Sequence, residues 1–319
     1  SWFEIMIELL ELDRRDDVRS VLEEYLASLE ENRKPPPTFI DQVIENWNSR
    51  AIEIYAKLDA ENQILGIVVL GLVSNNISII FMTEAAQALD RHLVQDIQKD
   101  LLEAGLNRLK TTGDWIQTSG TLEGSMREHA KGLGFRGFER TSMEITRDVL
   151  ERINDSPLSD DFSFLPFEDE MKEALGNLIF RGHAGSIDLD VFPMFFSTEE
   201  LAIKLIENTI ENRYGEFRSP DDSRVLLKAD ILVGVCLITI RGNYAYIPDI
   251  CIDPDLRRMG LGRALLVHTL KRLMASYSDL GGVRLDVTLE NPAKHLYDSI
   301  GFKELRRYEV LNWLKKWYS

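Results

Sequence analysis

Two arginines and two glycines stand together in Asp253-Pro254-Asp255-Leu256-Arg257-Arg258-Met259-Gly260-Leu261-Gly262, between an apolar strand pattern and an apolar helix pattern. A turn of this composition suits a diphosphate. Gly260 and Gly262 lack a β-carbon, so their N–H groups can come close to phosphate oxygens, and the positive end of the following helix favours negative charge. The strand pattern spans Tyr244 to Ile252. The helix pattern runs from about Leu261 to Met274, with Leu265, Leu266, Thr269, Leu270, Leu273 and Met274 as its stripe. An Arg-x-x-Gly-x-Gly string alone also serves ordinary strand-to-helix turns, so its weight depends on the residues C-terminal to it.

Those residues form a second block. Leu285-Asp286-Val287-Thr288-Leu289-Glu290-Asn291 alternates like a strand, and Pro292 to Ile300 predicts a short helix. Asn291 is its expected cap, Pro292 its first residue and Gly301 its stop.

Together the blocks resemble the GNAT superfamily of N-acetyltransferases. Its acyl-CoA loop has the form R/Q-x-x-G-x-G/A, here Arg257, Gly260 and Gly262; its next unit has the form N-x-x-A-x-x-L-Y-x-x-x-G-F, here Asn291, Leu296, Tyr297, Gly301 and Phe302, with Ala293 one place from the usual alanine. The close match covers residues 244 to 310. The resemblance implies acetyl-CoA as cosubstrate, its diphosphate held on the turn Arg257, Arg258, Met259, Gly260, Leu261, Gly262 and Arg263. Arg257, Arg258, Arg263 and Lys294 would form a positive rim. Ile250, Cys251 and Ile252 would let the pantetheine arm add beside the strand, which Pro248 is expected to splay. Asn291 would hold that arm or the neighbouring helix. Tyr297 would lie near the thioester sulfur and act as general acid, since a departing thiolate of pKa about 8.5 needs a proton and a phenol can give one.

Asp249 is the carboxylate nearest the expected acyl position, suited to binding a substrate ammonium or taking its proton; Glu290 is a weaker candidate. The loop Arg181-Gly182-His183-Ala184-Gly185-Ser186-Ile187-Asp188 falls where the family joins its first two helices. His183 and Asp188 are therefore candidate acceptor contacts, with Tyr214 in a further wall. His92, His129, His268 and His295 sit in helix patterns and read as structural.

Composition agrees with a soluble cytoplasmic enzyme. The 319 residues predict about two domains, and no apolar run reaches the roughly 18 residues of a membrane helix. The longest such run, Ile64 to Val73, reads as a strand. No secretory signal opens the chain. A formal charge of −16 without clustered Lys and Arg argues against nucleic acid and favours a cationic amine as small-molecule partner. Cys236 and Cys251 read as buried thiols, and no metal site is expected.

An internal repeat completes the pattern. Shifted by 167 positions, Thr288 to Asn291 falls on Thr121 to Gly124, and Ile300-Gly301-Phe302 on Leu133-Gly134-Phe135. The earlier copy has Asp90, Leu93 and Gln95 in place of Arg257, Gly260 and Gly262, and Ala130 in place of Tyr297. It has lost the groups that would bind phosphate or donate a proton. Turn chemistry between Arg147 and Asp161 suggests the boundary, and Pro35-Pro36-Pro37 a rigid connector between helices at Asp17–Glu31 and Phe39–Asn48. The expectation is an α/β chain with mixed sheets and two tandem GNAT-like domains: residues 1–150 degenerate and non-catalytic, residues 160–319 catalytic. The layout is similar to that of mycothiol synthase. The expected reaction is direct attack of a small primary amine on acetyl-CoA. A protein N-terminus or lysine as acceptor, and a non-enzymatic acyl-CoA sensor, are the alternatives.

Overall fold

The computed structural model describes residues 6–29, 35, 37–118, 122 and 124–318. Pro36, Thr121 and Glu123 lie outside them. The first half runs β1 (Ile7–Leu9), α1 (Arg15–Ser28), α2 (Phe39–Asn48), β2 (Ile52–Leu58), β3 (Ile64–Gly71), β4 (Asn76–Met82), α3 (Glu84–Gln87), α4 (Arg91–Leu109), β5 (Trp115–Thr118), α5 (Gly124–Gly132) and β6 (Arg136–Thr146). α1 begins earlier than the expected Asp17–Glu31, and Glu31 lies outside the described residues. The apolar run at β3 is buried on both faces: Val68 and Leu70 pack with α4 residues such as Leu101 and Leu106, while Ile67 and Val69 pack with Val18 of α1 and Trp47 of α2. Alternation of side chains along one strand thus feeds two cores.

The second half runs α6 (Arg147–Arg152), β7 (Phe162–Pro166), α7 (Lys172–His183), α8 (Ile187–Val191), α9 (Pro193–Phe196), α10 (Glu199–Ile210), β8 (Arg224–Lys228), β9 (Ile231–Cys236), β10 (Thr239–Arg241), β11 (Tyr244–Tyr246), β12 (Ile250–Ile252), α11 (Leu261–Ser276), β13 (Gly282–Thr288), α12 (Ala293–Ile300) and β14 (Lys303–Leu314). The expected stripe of α11 is buried at all six positions. Leu265 and Leu270 join one core with Val233, while α7 and α10 cover the other face of β8 and β9 through Leu175, Ile179 and Ile206. Among the described residues no helix is long and apolar enough to cross a membrane.

The chain divides into two compact units, Ser1–Phe138 with Glu309–Ser319, and Glu139–Tyr308. The cuts do not fall between 150 and 160, because the closing strands are exchanged. Residues 140–146 of β6 pair antiparallel with β13, and Asn312–Leu314 of β14 pair antiparallel with β5. In the first unit β1 to β4 form an antiparallel ladder, and β4 adds β5 in parallel. In the second, β13, β11 and β10 continue from β6, while β12, β9, β8 and β7 form another sheet.

Gly134 and Gly301 each follow a helix with positive φ, 99° and 116°, and each precedes a buried phenylalanine. At Gly301 a β-carbon would also meet Val149 at 3.1 Å. Gly301→Ala is expected to lower unfolding free energy by about 1–2 kcal/mol, the strain of a left-handed L-residue; an unchanged urea midpoint would remove that explanation.

Candidate active site

The single strand expected from Tyr244 to Ile252 is broken in two. Ile247 N–H still donates to Arg284 O of β13 at 3.0 Å, but Asp249 O accepts from Leu237 N at 3.0 Å, and Ile250 to Ile252 pair only with β9. Pro248, without an N–H, sits where the partner changes. β12 is therefore an edge, with strand-type N–H and C=O groups on its outer side.

Beyond β12, Arg258 and Gly260 are left-handed at φ 65° and 79°, and no side chain caps the start of α11. Alternate left-handed residues point successive amides at one concavity, and the helix end adds its partial positive charge. A β-carbon at Gly260 would meet open space. Of the expected positive rim, Arg258 is exposed, Arg257 donates to Gly182 O, and Lys294 pairs with Asp298 and Glu304 at 3.0 Å each. Arg263 lies 3.5 Å from Ser299. The side chains of Arg257 and Lys294 thus hold protein, and the amides carry the anion-binding capacity. In the first unit the start of α4 is different: the Asp90 carboxylate accepts from His92 N–H at 2.9 Å and caps the helix.

A cavity of about 660 Å³ runs along the turn, β12 and α12. Another, of about 290 Å³, lies against it; both are bounded by His183, Asp188, Ile250, Asn291, Ala293 and Tyr297. His183 and Asp188, expected in a loop, are the last residue of α7 and a first-turn residue of α8, joined by a three-residue turn at Ala184 to Ser186. His183 Nε2 is 3.0 Å from Asp249 Oδ1, and its Nδ1 is 3.6 Å from Asp188 Oδ2. Asn291 holds Asp188 through a 2.6 Å bond from Nδ2, while its Oδ1 accepts from Ala293 N at 2.8 Å; α12 starts one residue later than expected, with Pro292 at the cap position and Ala293 as its first residue. The other oxygen of Asp249, a residue 8% exposed, is buried with no hydrogen-bond partner among the described residues.

Burial pushes the His183 imidazole down, but the Asp249 carboxylate, with Asp188, outweighs it and raises the pKa to about 9. Burial pushes the Tyr297 phenol up, and the charges of Asp249 and Asp188 push it further, so it stays protonated. Burial likewise raises the thiols of Cys236 and Cys251, which leaves them poor nucleophiles. Gly182 packs against Cys251 too closely for any β-carbon. Glu290 borders only the larger cavity. Tyr214 lines the smaller one, its hydroxyl accepting from Asn208 at 3.2 Å. Arg140 lines it too, and nothing near it in sequence marks it: it arrives through the pairing of β6 with β13, opposite Thr288. Among the described residues no group of three or more His, Cys, Asp and Glu could hold a metal ion.

A profile of the acetyltransferase (GNAT) domain matches residues 221–304. The chain is similar to the cysteine-rich protein 2-binding protein of Mus musculus, with 33% identity over 101 residues; these are 31% of this chain and only 12% of that relative's length. Two solved structures share its fold throughout. A GCN5-related N-acetyltransferase from Sphaerobacter thermophilus has a TM-score of 0.54 at 13% identity, over 99% of this chain and 97% of that one. A tandem GNAT protein from the clavulanic acid biosynthesis pathway has 0.53 at 12%, over 98% and 99%. At such identities the likeness is one of fold.

An imidazolium held between two carboxylates stabilises the fold fully below pH about 6.5, the ordinary His value, and progressively less as pH rises through about 9. An NMR titration is expected to find the His183 midpoint near 9 and to find it lowered in Asp249→Asn; a midpoint near 6.5 in the unaltered chain would contradict the triad.

Proposed function

We propose that this chain, an α/β protein of two tandem GNAT-like domains with an acetyltransferase domain at residues 221–304, moves an acetyl group from acetyl-CoA to a primary amine of a small molecule. The observation that carries the proposal is the meeting of two cavities at Tyr297 and His183, with Asp249 in the wall of the smaller one. Acetyl-CoA supplies the activated acyl carbon as a thioester. Amides of Arg258 to Gly262 would hold its diphosphate, and the outer edge of Ile250 to Ile252 its pantetheine amides. The free Asp249 oxygen would take a proton from the amine as the C–N bond forms. The Tyr297 hydroxyl would donate one as the C–S bond breaks, leaving an amide and a free thiol. His183, already protonated, holds Asp249 in place. The first domain, with Asp90 closing its helix start and Ala130 in place of Tyr297, would not catalyse.

Thiol release from acetyl-CoA over a panel of small amines tests this. Tyr297→Phe and Asp249→Asn are each expected to lower kcat by about 10²–10⁴-fold; acetyl-CoA binding without release across the panel would favour the sensor. Hydrogen exchange supplies a separate check. Acetyl-CoA is expected to protect the amides of Arg258 to Gly262 and to leave those at the start of α4 unprotected.

A further inference from the structure

Arg140 is 5% exposed, yet no carboxylate among the described residues lies within 4.0 Å of its guanidinium. Its Nε donates to the Tyr308 hydroxyl at 3.2 Å and its Nη1 to Thr288 Oγ1 at 2.9 Å, and the group stacks over Phe192 at 4.5 Å. Nη2 has no protein acceptor among the described residues. A buried charge without a counter-ion is costly, and hydrogen bonds to neutral hydroxyls relieve only part of that cost.

The acidic groups of the same cavity are engaged elsewhere. Asp188 faces His183 and Asn291 and also accepts from Thr288 at 3.4 Å, and Asp286 accepts from Tyr246 at 2.9 Å and from Ser142 and lies beside the Tyr308 hydroxyl, so these carboxylates reach Arg140 only through an intervening hydroxyl. What remains unmatched in this cavity among the described residues is Nη2 of Arg140, its other nitrogens being engaged, and the second oxygen of Asp249. A ligand that satisfies both carries an anion for Arg140 and an ammonium for Asp249. The cavity, about 290 Å³ and walled by Phe192, Phe195 and Tyr214, admits only a small molecule with apolar bulk.

We propose that the acceptor is a small amino-carboxylate, an amino acid or close analogue, whose amine meets Asp249 and whose carboxylate meets Arg140. The inference rests on acetyl transfer from acetyl-CoA at this same site. Arg140 lies on β6 just past the cut at Phe138, within the compact unit that holds the rest of the cavity.

The test is kinetic, with L-leucine and L-phenylalanine, their amides, and the corresponding decarboxylated amines as acceptors. The free acids are expected to exceed both other forms in kcat/KM by about 10–100-fold, the scale of a charge-assisted bidentate contact. Arg140→Gln should bring that ratio close to one, and Arg140→Lys, which keeps the charge but not the fork, should fall between. Equal use of amides and amines by the unaltered enzyme, or an equal loss on all three classes in Arg140→Gln, would overturn the inference while leaving acetyl transfer intact. Calorimetry of the same compounds on the CoA-loaded protein separates the two ideas. Free acids that bind through Arg140 without turnover would sustain this inference and overturn the transfer; no binding and no turnover of any free acid would overturn this inference.

Discussion

Backbone hydrogen bonding sets the terms for this site. Every buried N–H and C=O must find a partner, and at Pro248 the strand exchanges one for another within a few residues. The exchange opens a wedge between β11 and β12 and leaves one edge of Ile250 to Ile252 unpaired. The left-handed turn at Arg258 and Gly260 then presents a second set of unclaimed amides at the head of α11. A ligand with alternating amide and phosphate groups answers both sets.

The buried charges obey a similar rule. His183 lies between two carboxylates, and burial, reinforced by the charges of Asp249 and Asp188, keeps Tyr297 protonated. Asn291 joins the two devices: one end of its amide accepts from the first residue of α12, the other fixes Asp188. A substitution there would disturb the helix that carries Tyr297 and the triad together. Aromatic stacking adds rigidity, since the Phe196 and His183 ring centroids are 3.8 Å apart.

The two halves differ in what occupies a helix start. α4 follows the short helix α3 and α11 follows a strand and turn, but the difference at their starts is that Asp90 supplies its own carboxylate to α4, whereas Gly260 supplies nothing to α11. Dipole and amides are common to both helices; occupancy by a side chain differs. Neither half closes its sheet with its own last strand, since β6 pairs beside β13 and β14 ends beside β5.

Signals between near neighbours in the chain were legible without coordinates. The glycines of the turn, the Gly301 stop and the stripe of α11 each depend on residues within a few places of one another, where covalent geometry already restricts the options. Pro248 announced a disturbance of its strand, although the complete change of partner required knowing both neighbours. Other features had no local trace. His183 and Asp249 are 66 residues apart, Asp188 and Asn291 are 103 apart, and Arg140 reaches Thr288 across 148. Sheet register and the packing of α7 and α8 decide those contacts, and the energy that selects them is shared among whole cores. Residue order therefore determined the anion cradle, while tertiary structure alone decided which charges meet beside it, because pairing between distant strands is written in no single segment.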